Sequence, residues 1–452
     1  MDYVVNTPCG QVLGCAGRVP GTVAFKGIRY ATAGRWEYAK QVTAWEGIYD
    51  ATHYGSCCYQ PRAFYDEEEN KKKYFYYNEF RKGETYGYSE DCLFLNIFTP
   101  ATAKEGDNLP VVLSIHGGSF AGGCGHEKQF DGPIWPQKGV IGVTINYRLG
   151  PLGFLCLPEL EKEAGKTGNY GLYDQIVALK WVKDNISAFG GNPDNVTVMG
   201  QSAGAMSIQL HCLSPLAKGL FKQAVMCSGS GVSRLMSFAS PQRHYDFWHA
   251  VMKKAGCEDL EAFRAVSAEK LFESWETAKK EIKGGGVAAF PCRDGELVIG
   301  NGVDILRADK HLKIPYLCGS TSEDFGSPVL YSLAKKWCVA QKIPSYTWLF
   351  DRRLPGDNRG AWHSSDLWYW FDTLDNGWRP WEEQDRKIAS MMSDYLVNFV
   401  KTGNPNADGL PEWESAQDSK KSLFIGEGEP KMKKPSKAKL LLTMLTTKAV
   451  GE

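Results

Sequence analysis

The chain lacks the features that mark membrane, nucleic-acid-binding and metal-binding proteins. Its 452 residues include 52 basic and 52 acidic side chains, so it carries no formal net charge. A neutral chain has no general electrostatic attraction to nucleic acid or to an anionic membrane. No apolar run approaches the roughly 20 residues that span a bilayer. The 13 cysteines form no C-x-x-C pair and the sequence has no H-E-x-x-H motif, so we expect no metal site.

The amino-terminal residues also lack a secretory signal. Residues 1–6 contain neither a charged n-region nor the start of an apolar h-region. The odd number of cysteines is more typical of buried thiols than of a disulfide framework. Both observations predict a cytoplasmic protein whose cysteines are reduced.

Strand-like and helical segments alternate along the chain. An apolar run at 140–145, an amphipathic stretch at 174–186 and an apolar run at 196–199 follow one another. Such alternation is typical of an α/β protein whose mostly parallel sheet is covered by helices on both faces. The length would allow about three domains, yet α/β folds of this size also occur as one unit. Because we find no internal repeat or long linker, we predict a single domain over residues 1–452.

The most informative motif is Gly200-Gln201-Ser202-Ala203-Gly204, which directly follows the apolar run 196–199. A serine between two glycines after a strand is typical of a nucleophile on a tight strand-to-helix turn. Strand and helix approach closely there, so the flanking positions must be small. The motif alone is moderately specific, since glycine and serine are common. It makes Ser202 the candidate nucleophile of an esterase-type hydrolase.

A second motif, His116-Gly117-Gly118-Ser119-Phe120, follows the apolar run 111–115, and further glycines lie at 122, 123 and 125. We call residues 116–125 the glycine loop. Acyl transfer passes through a tetrahedral oxyanion, which each aimed backbone N–H group stabilises by roughly 2.7–4 kcal/mol. The expected donors are the N–H groups of Gly118, Ser119 and Ala203. The alternative is a flexible turn or a phosphate-binding loop, but no Lys-Ser or Lys-Thr pair follows to complete a P-loop.

A serine nucleophile needs a histidine base and a carboxylate that orients the base. In this arrangement the chain order is serine, acid, histidine. His363 is the candidate base because it lies in a glycine-rich segment after plausible acid-bearing segments, whereas the other four histidines after Ser202 lie in segments typical of helices or the surface. The acid is expected just after the strand-like run 314–319, where Asp324 and Glu323 are both candidates.

Longer motifs resemble those of the type-B carboxylesterases, the family that also contains the cholinesterases. Residues 89–97 resemble the family's EDCLYLN signature, and residues 189–204 resemble its active-serine signature. Shorter matches occur at residues 25–31, 146–150, 168–172, 294–295 and 398–405. The resemblance covers nearly the whole chain and implies an α/β-hydrolase fold.

The resemblance also implies roles for particular residues. It makes Ser202 the nucleophile, His363 the base and Asp324 the acid. Family members commonly have glutamate at the acid position. The shorter side chain of Asp324 therefore leaves Glu323 as an open alternative.

Other positions either match the family pattern or depart from it. Ser119 replaces a glycine that is common in the family, but only its backbone N–H is needed. Ser228 matches a second serine that the family places behind the triad. Cys58 and Cys92 match the positions of a disulfide in secreted relatives. Cys257 matches another bridging position of those relatives, but no cysteine follows it within that segment.

Two aromatic clusters are candidates for the pocket wall. The first comprises residues 74–77, after a charged run at 65–73 that is typical of a solvated loop. In relatives the equivalent loop forms the rim of the pocket, although a surface or packing role is equally compatible with this cluster. The second cluster is Trp362 with the run 368–371 around His363, and its helical spacing favours the core for most of these rings.

These features predict a serine carboxylic-ester hydrolase that acts on small to medium esters through an acyl-enzyme intermediate. It should need no cofactor, bind neither nucleic acid nor membranes, and be a monomer or a weak homo-oligomer. The alternative from another class is a catalytically silent adhesion protein of the same family, which would usually lack the serine. If the protein is an enzyme, the remaining alternative is a lipase or a hydrolase specialised for aryl esters or amides.

Overall fold

The structure is a computed structural model that describes residues 3–234 and 238–436. Its strands are β1 Tyr3–Thr7, β2 Gly10–Ala16, β3 Thr22–Arg29, β4 Ala31–Thr32, β5 Lys40–Gln41, β6 Ile48–Asp50, β7 Cys57–Cys58, β8 Tyr88–Ser89, β9 Phe94–Pro100, β10 Leu109–Ile115, β11 Ile141–Ile145, β12 Gly191–Gln201, β13 Gln223–Cys227, β14 Tyr316–Thr321, β15 Tyr346–Phe350, β16 Ser422–Ile425 and β17 Lys431–Lys433.

Its α-helices are α1 Tyr74–Phe80, α2 Gly150–Phe154, α3 Pro158–Ala164, α4 Tyr170–Asn185, α5 Ala203–Cys212, α6 Tyr245–Lys254, α7 Leu260–Ala265, α8 Ala268–Glu281, α9 Gly302–Arg307, α10 Ser327–Val339, α11 Leu367–Phe371 and α12 Glu383–Thr402. Over the described ranges, none of these helices is both long enough and apolar enough to cross a bilayer.

One large sheet organises the chain. Its strand order is β1-β2-β3-β9-β11-β10-β12-β13-β14-β15-β16-β17, and β6 pairs with β2. The strands from β11 to β16 in this order run parallel to one another. Antiparallel strands flank them on both sides. The predicted α/β class with a mostly parallel sheet is confirmed.

The core lies on both faces of this sheet. In β10, Val111 and Leu113 pack into one buried cluster, while Val112 packs into another, because successive side chains of a strand point to opposite faces. Residues of α4 and α5 contribute to the first cluster, and residues of α11 and α12 contribute to the second. The sheet is therefore covered by helices on both sides and presents its strand ends, rather than a face, to the site.

Helix α4 differs from the amphipathic helix predicted for residues 174–186. It is buried on most sides, and even Asp174 lies fully inside. The Asp174 carboxylate accepts hydrogen bonds from Arg148 Nε at 2.9 Å and from Arg148 Nη2 at 2.6 Å. One polar position of the helix pattern, Asp174, is thus one half of a buried ion pair. The spacing of apolar residues along the helix cannot distinguish such a position from one on a solvated face.

We expect Arg148→Met to destabilise the fold by about 3–5 kcal/mol, because it leaves the Asp174 carboxylate buried without its partner. Urea denaturation followed by tryptophan fluorescence measures the change. The double variant Arg148→Met/Asp174→Leu is the control and should recover part of the loss, since both charges are then removed. A single variant that unfolds at the wild-type urea concentration would contradict the expectation.

The cysteines depart from the reduced state predicted for them. One disulfide joins Cys57 and Cys124, whose Cα atoms lie 5.6 Å apart across a sequence separation of 67. The other eleven cysteines are free, including Cys58 and Cys92. The prediction of a fully reduced chain is therefore wrong for Cys57 and Cys124. Nothing in the local spacing of the cysteines links these two positions, because only the fold brings them together.

Candidate active site

Ser202 occupies a one-residue turn between a strand and a helix. Strand β12 ends at Gln201 and helix α5 begins at Ala203. Ser202 has φ 54° and ψ −122°, a conformation that residues with a side chain rarely adopt. A Cβ atom on Gly204 would lie 2.0 Å from the carbonyl oxygen of Ile115, so only glycine fits. The backbone here has the strained, closely packed turn that the motif predicts.

His363 and Asp324 form a hydrogen-bonded pair. Their Nδ1 and Oδ1 atoms are 2.5 Å apart, with 12% of the His363 side chain and none of the Asp324 side chain exposed. The second oxygen of Asp324 accepts a hydrogen bond from Thr321 Oγ1 at 3.2 Å. Since the carboxylate accepts the Nδ1 proton, the neutral ring keeps its lone pair on Nε2. This is the tautomer that a general base for Ser202 requires.

Glu323, the alternative acid, points elsewhere. Its backbone N–H donates to Ala361 O at 3.1 Å, so the segments that carry the acid and the histidine run side by side. Its carboxylate lies beside Gly360 and 3.4 Å from Arg353 Nη1. Of the two adjacent carboxylates, the structure places only Asp324 in hydrogen-bond contact with His363.

The environment raises the pKa of His363 above its ordinary value of 6.5. Burial alone would lower this pKa, but the charge and hydrogen bond of Asp324 favour the imidazolium, and the charge of Asp366 adds to them. Asp366 itself is fully buried, and burial together with the Asp324 charge raises its pKa to about 7. His363 therefore loses its proton at a higher pH than an ordinary histidine.

This shift sets an expectation for the pH profile. A general base must be neutral, so we expect the acid limb of kcat/KM to have its midpoint above 6.5, the ordinary pKa of histidine. Initial rates of ester hydrolysis between pH 5 and pH 9 in buffers of constant ionic strength measure the limb. A midpoint at or below 6.5 would show that burial outweighs the carboxylates.

Gln201 is a neighbour of His363 that the motifs did not single out. Its Nε2 lies 3.0 Å from His363 Nε2, so the amide donates to the lone pair that would accept the Ser202 proton. Among the described residues, no hydrogen bond joins Ser202 Oγ to His363. The motif itself held a signal for this contact, because Gln201 is the last residue of β12, directly before Ser202, and lines the same cavity as Ser202 and His363.

The glycine loop presents unpaired backbone donors. Gly118 has φ 108°, and a Cβ atom there would lie 2.1 Å from Gly122 O, so the loop folds back on itself in a way that excludes larger residues. The carbonyl of Gly118 accepts from Ala121 N and Gly122 N at 3.0 and 2.9 Å. Within the described part of the chain, the N–H groups of Gly118, Ser119 and Ala203 donate no hydrogen bond. They are therefore available to an acceptor on a bound substrate.

A group of buried polar side chains lies just after β13, within β14 and just after His363. Ser228 donates its backbone N–H to Gly319 O at 2.7 Å, but its Oγ has no partner among the described residues. The same holds for Ser320 Oγ, Ser365 Oγ and one oxygen of Asp366. Asp366 lies three residues after His363, a spacing that could have revealed it as a second carboxylate near the base.

One cavity of about 1470 Å³ connects the side chains predicted to be catalytic with the glycine loop. Ser202, His363, Asp324 and Ser228 line it together with Gly118 and Ser119. On its other walls, Arg62 and Arg81 both bond Glu127, and Arg81 also pairs with Glu67 at 2.5 Å. Glu67 belongs to the run predicted as a solvated loop, so that prediction is wrong at this position because the buried Arg81 draws the carboxylate inward.

The aromatic clusters divide between cavity and core. Tyr76 and Phe80 of α1 line the cavity, whereas Phe75 packs edge-on against the ring of Trp362 at 5.0 Å. Trp362 and residues 368–371 are fully buried and do not line the cavity. Of the rings suggested for the pocket, only Tyr76 therefore contacts it, and the cluster around His363 is packing.

One group in the described residues has the spacing of a metal site. The ligand atoms of Cys57, Cys124 and His126 all lie within 4.8 Å of one another. The disulfide uses both sulfurs, however, and metal binding needs thiolates. No residue of this group lines the cavity that contains Ser202.

Comparison with known proteins identifies the family. A family model described as "Carboxylesterase family" matches residues 1–342 and 325–441. The para-nitrobenzyl esterase of Bacillus subtilis (strain 168) is 30% identical over 490 residues, covering 94% of this chain and 95% of that protein. The acylcarnitine hydrolase of Mus musculus is 34% identical, covering 90% of this chain and 84% of that protein.

Solved structures agree over the full length. A PNB esterase structure superposes with a TM-score of 0.83 at 27% identity, covering 98% of this chain and 99% of that chain. An esterase from the anaerobe Clostridium hathewayi, described as able to hydrolyse aliphatic aromatic polyesters, superposes with a TM-score of 0.84 at 26% identity, covering 99% of each chain. The predicted family and fold are confirmed: the chain belongs to the carboxylesterase family, has the α/β-hydrolase fold and is a carboxylic-ester hydrolase.

Proposed function

We propose that this chain hydrolyses small to medium carboxylic esters through a covalent acyl-enzyme on Ser202, with His363 as the base and Asp324 as the acid that orients it. The observation that carries the proposal is that one cavity is lined by a strained serine, a histidine paired to a buried carboxylate, and glycine-loop residues with free N–H groups. Nucleophile, base and oxyanion donors are the groups that acyl transfer needs.

In the first half-reaction, His363 Nε2 removes the hydroxyl proton of Ser202 as Oγ attacks the ester carbonyl carbon. The carbonyl π electrons move to oxygen, and the oxyanion accepts hydrogen bonds from the N–H groups of Gly118, Ser119 and Ala203. The oxyanion then collapses, the carbon–oxygen bond to the alcohol breaks, and the imidazolium gives its proton to the departing oxygen. Asp324 stays ionised throughout and stabilises the imidazolium.

In the second half-reaction, water takes the place of the alcohol. His363 Nε2 removes a proton from the water, the hydroxide attacks the acyl carbon, and the same N–H groups bind the second oxyanion. Collapse releases the carboxylic acid and returns the proton to Ser202. Gln201 must release His363 Nε2 before each attack, because its amide occupies that lone pair at 3.0 Å.

A p-nitrophenyl acyl series from acetate to palmitate tests the reaction, and an organophosphate ester tests the nucleophile. We expect turnover with the short esters, and the acyl length at which turnover falls off measures how much of the cavity of about 1470 Å³ accepts the acyl chain. We also expect diethyl p-nitrophenyl phosphate to abolish turnover and to leave one diethylphosphoryl group on the peptide that contains Ser202. Labelling on another residue, or labelling that leaves turnover intact, would overturn the assignment of the nucleophile.

The proposal includes two properties of the whole protein. We propose a cytoplasmic location and a monomer or weak homo-oligomer. Cell fractionation and sedimentation velocity test them, and recovery in a membrane or secreted fraction, or a stable higher oligomer, would contradict them.

A further inference from the structure

The Cys57–Cys124 disulfide has one end in the glycine loop but has no part in the chemistry above. Cys124 belongs to the glycine loop, and Cys57 belongs to strand β7. Their Cα separation of 5.6 Å lies in the usual range for disulfides. Both side chains are fully buried. The bond therefore joins the loop that carries the proposed oxyanion donors to a different part of the chain.

Hydrogen bonds join the same two segments. Gln60 Oε1 accepts from Gly123 N at 2.8 Å, and Gln60 Nε2 donates to Gly123 O at 3.0 Å. Asn146 adds a bridge, since its Oδ1 accepts from Gly125 N at 2.8 Å and its Nδ2 donates to Ser56 O at 3.0 Å. The carboxyl-terminal half of the glycine loop is thus held by two amide side chains and one covalent bond.

His126 contacts both sulfurs. Its Nδ1 is 3.1 Å from Cys124 Sγ, and its Nε2 is 3.7 Å from Cys57 Sγ. The ring stacks on Tyr54 with centroids 4.5 Å apart, and burial lowers the pKa of His126 to about 3. The ring is therefore neutral and keeps one nitrogen lone pair, which can accept the S–H of a reduced cysteine. The reduced pair has a hydrogen-bond acceptor already in place.

From this geometry we infer that the Cys57–Cys124 pair is a reversible redox clamp on the glycine loop: the disulfide holds the loop amides in their catalytic positions, and its reduction loosens the loop and lowers turnover. The effect on turnover rests on the proposed function, because it requires those amides to bind the oxyanion. In a cytoplasmic protein such a bond would be transient rather than a permanent staple.

The chemical step is thiol–disulfide exchange with a dithiol. A thiolate of the dithiol attacks one protein sulfur and breaks the S–S bond, which gives a mixed disulfide and one protein thiolate. The second thiol of the reagent then attacks the mixed disulfide. The reagent leaves as a cyclic disulfide, and the protein gains two electrons and two protons as two thiols. Because both sulfurs are buried, exchange requires the segment around β7 to open and should be slow.

The first experiment measures the redox state of the Cys57–Cys124 pair and the hydrogen exchange of the glycine loop, and it does not depend on activity. Protein purified under nitrogen with thiols blocked at lysis is digested without reductant, and the Cys57 and Cys124 peptides are identified by mass. Hydrogen exchange is then compared before and after equilibration with dithiothreitol. We expect linked Cys57 and Cys124 peptides in the purified protein before reduction. After reduction we expect faster hydrogen exchange at residues 117–125 and unchanged exchange in α12.

The second experiment reads turnover in the same two states. We expect reduction to lower kcat about tenfold or more, within the effect of losing an oxyanion donor, and to change KM by less than about twofold, since the loop acts on the transition state. Binding of a trifluoromethyl ketone, which forms an oxyanion on Ser202, should weaken in parallel with kcat.

Variants separate this clamp from other cysteines. Cys57→Ala/Cys124→Ala should have the low kcat of the reduced wild type and no response to dithiothreitol. The matched control is Cys156→Ala/Cys292→Ala, because these buried sulfurs lie 3.7 Å apart but line no part of the cavity. The control should keep the full wild-type response. If the first double variant does not fold, the reduced wild type still supplies the comparison.

The outcomes are distinct. Unlinked peptides in oxidised protein, or equal loop exchange and equal kcat in both states, would overturn the clamp. One equivalent of tightly bound zinc, released on blocking the thiols, would also overturn it and assign Cys57, Cys124 and His126 to a metal site. An absence of ester turnover in both states would instead refute the proposed function, while the peptide map and the exchange data would still decide the clamp.

Discussion

Ser202→Ala is expected to lower kcat for p-nitrophenyl acetate by about 10⁶-fold, the loss found when a triad nucleophile is removed. Ser202 Oγ is the atom that becomes acylated in the proposed mechanism, and the alanine side chain cannot form that bond. The backbone at residue 202 keeps its N–H donation to Cys227 O at 2.9 Å. The turn and the fold should therefore survive, and a thermal melt close to that of the wild type checks this.

The matched control for this variant is Ser207→Ala. Ser207 is a buried serine on the same helix, α5, and its Oγ donates to Ala203 O at 3.0 Å. It lies outside the cavity lining, so its hydroxyl has no access to substrate. We expect its kcat to stay near the wild-type value. Equal losses in both variants would indicate damage to α5, and a Ser202→Ala enzyme with substantial turnover would refute the assigned nucleophile.

Asp324→Asn is expected to lower kcat by about 10⁴-fold, as for the equivalent change in serine proteases. An asparagine amide can donate to Nδ1, which favours the tautomer with its proton on Nε2. That tautomer has no lone pair directed at Ser202. The substitution also removes the charge that raises the pKa of His363, so the acid limb of the residual activity should move to lower pH.

Glu323→Gln separates the two candidate acids. This substitution removes one negative charge, as Asp324→Asn does, but at the neighbouring residue. In the wild type the Glu323 carboxylate lies 3.4 Å from Arg353 and does not contact His363. We expect its kcat to stay within about fivefold of wild type, since Glu323 pairs with the largely exposed Arg353 and such a pair contributes at most about 1 kcal/mol. If Glu323→Gln lost more activity than Asp324→Asn, the roles of the two carboxylates would have to be exchanged.

Much of the site could be predicted from local sequence. The turn at Ser202 needs small neighbours at fixed positions, and the structure gives Gly204 no room for a Cβ atom. The free N–H groups of Gly118 and Ser119 likewise follow from a glycine-rich segment directly after a strand. These requirements concern residues that are adjacent in the chain, so they appear as motifs.

Other parts of the site could not be predicted in this way. Asp324 and Glu323 are neighbours with the same charge, and only the side-by-side path of two loops decides which of them reaches His363. The contact of Gln201 with His363 spans 162 positions. It depends on how the loop after β15 returns to the end of β12.

The sequence by itself determined the class of the fold, the position of Ser202 and the family, because strand periodicity, tight turns and long signatures are properties of contiguous residues. Only the tertiary structure decided which carboxylate meets His363, that Gln201 contacts the other nitrogen of that ring, and that Cys57 pairs with Cys124 instead of Cys58 with Cys92. These pairings join residues far apart in the chain. Their distances depend on the order and packing of the strands, which no local pattern encodes.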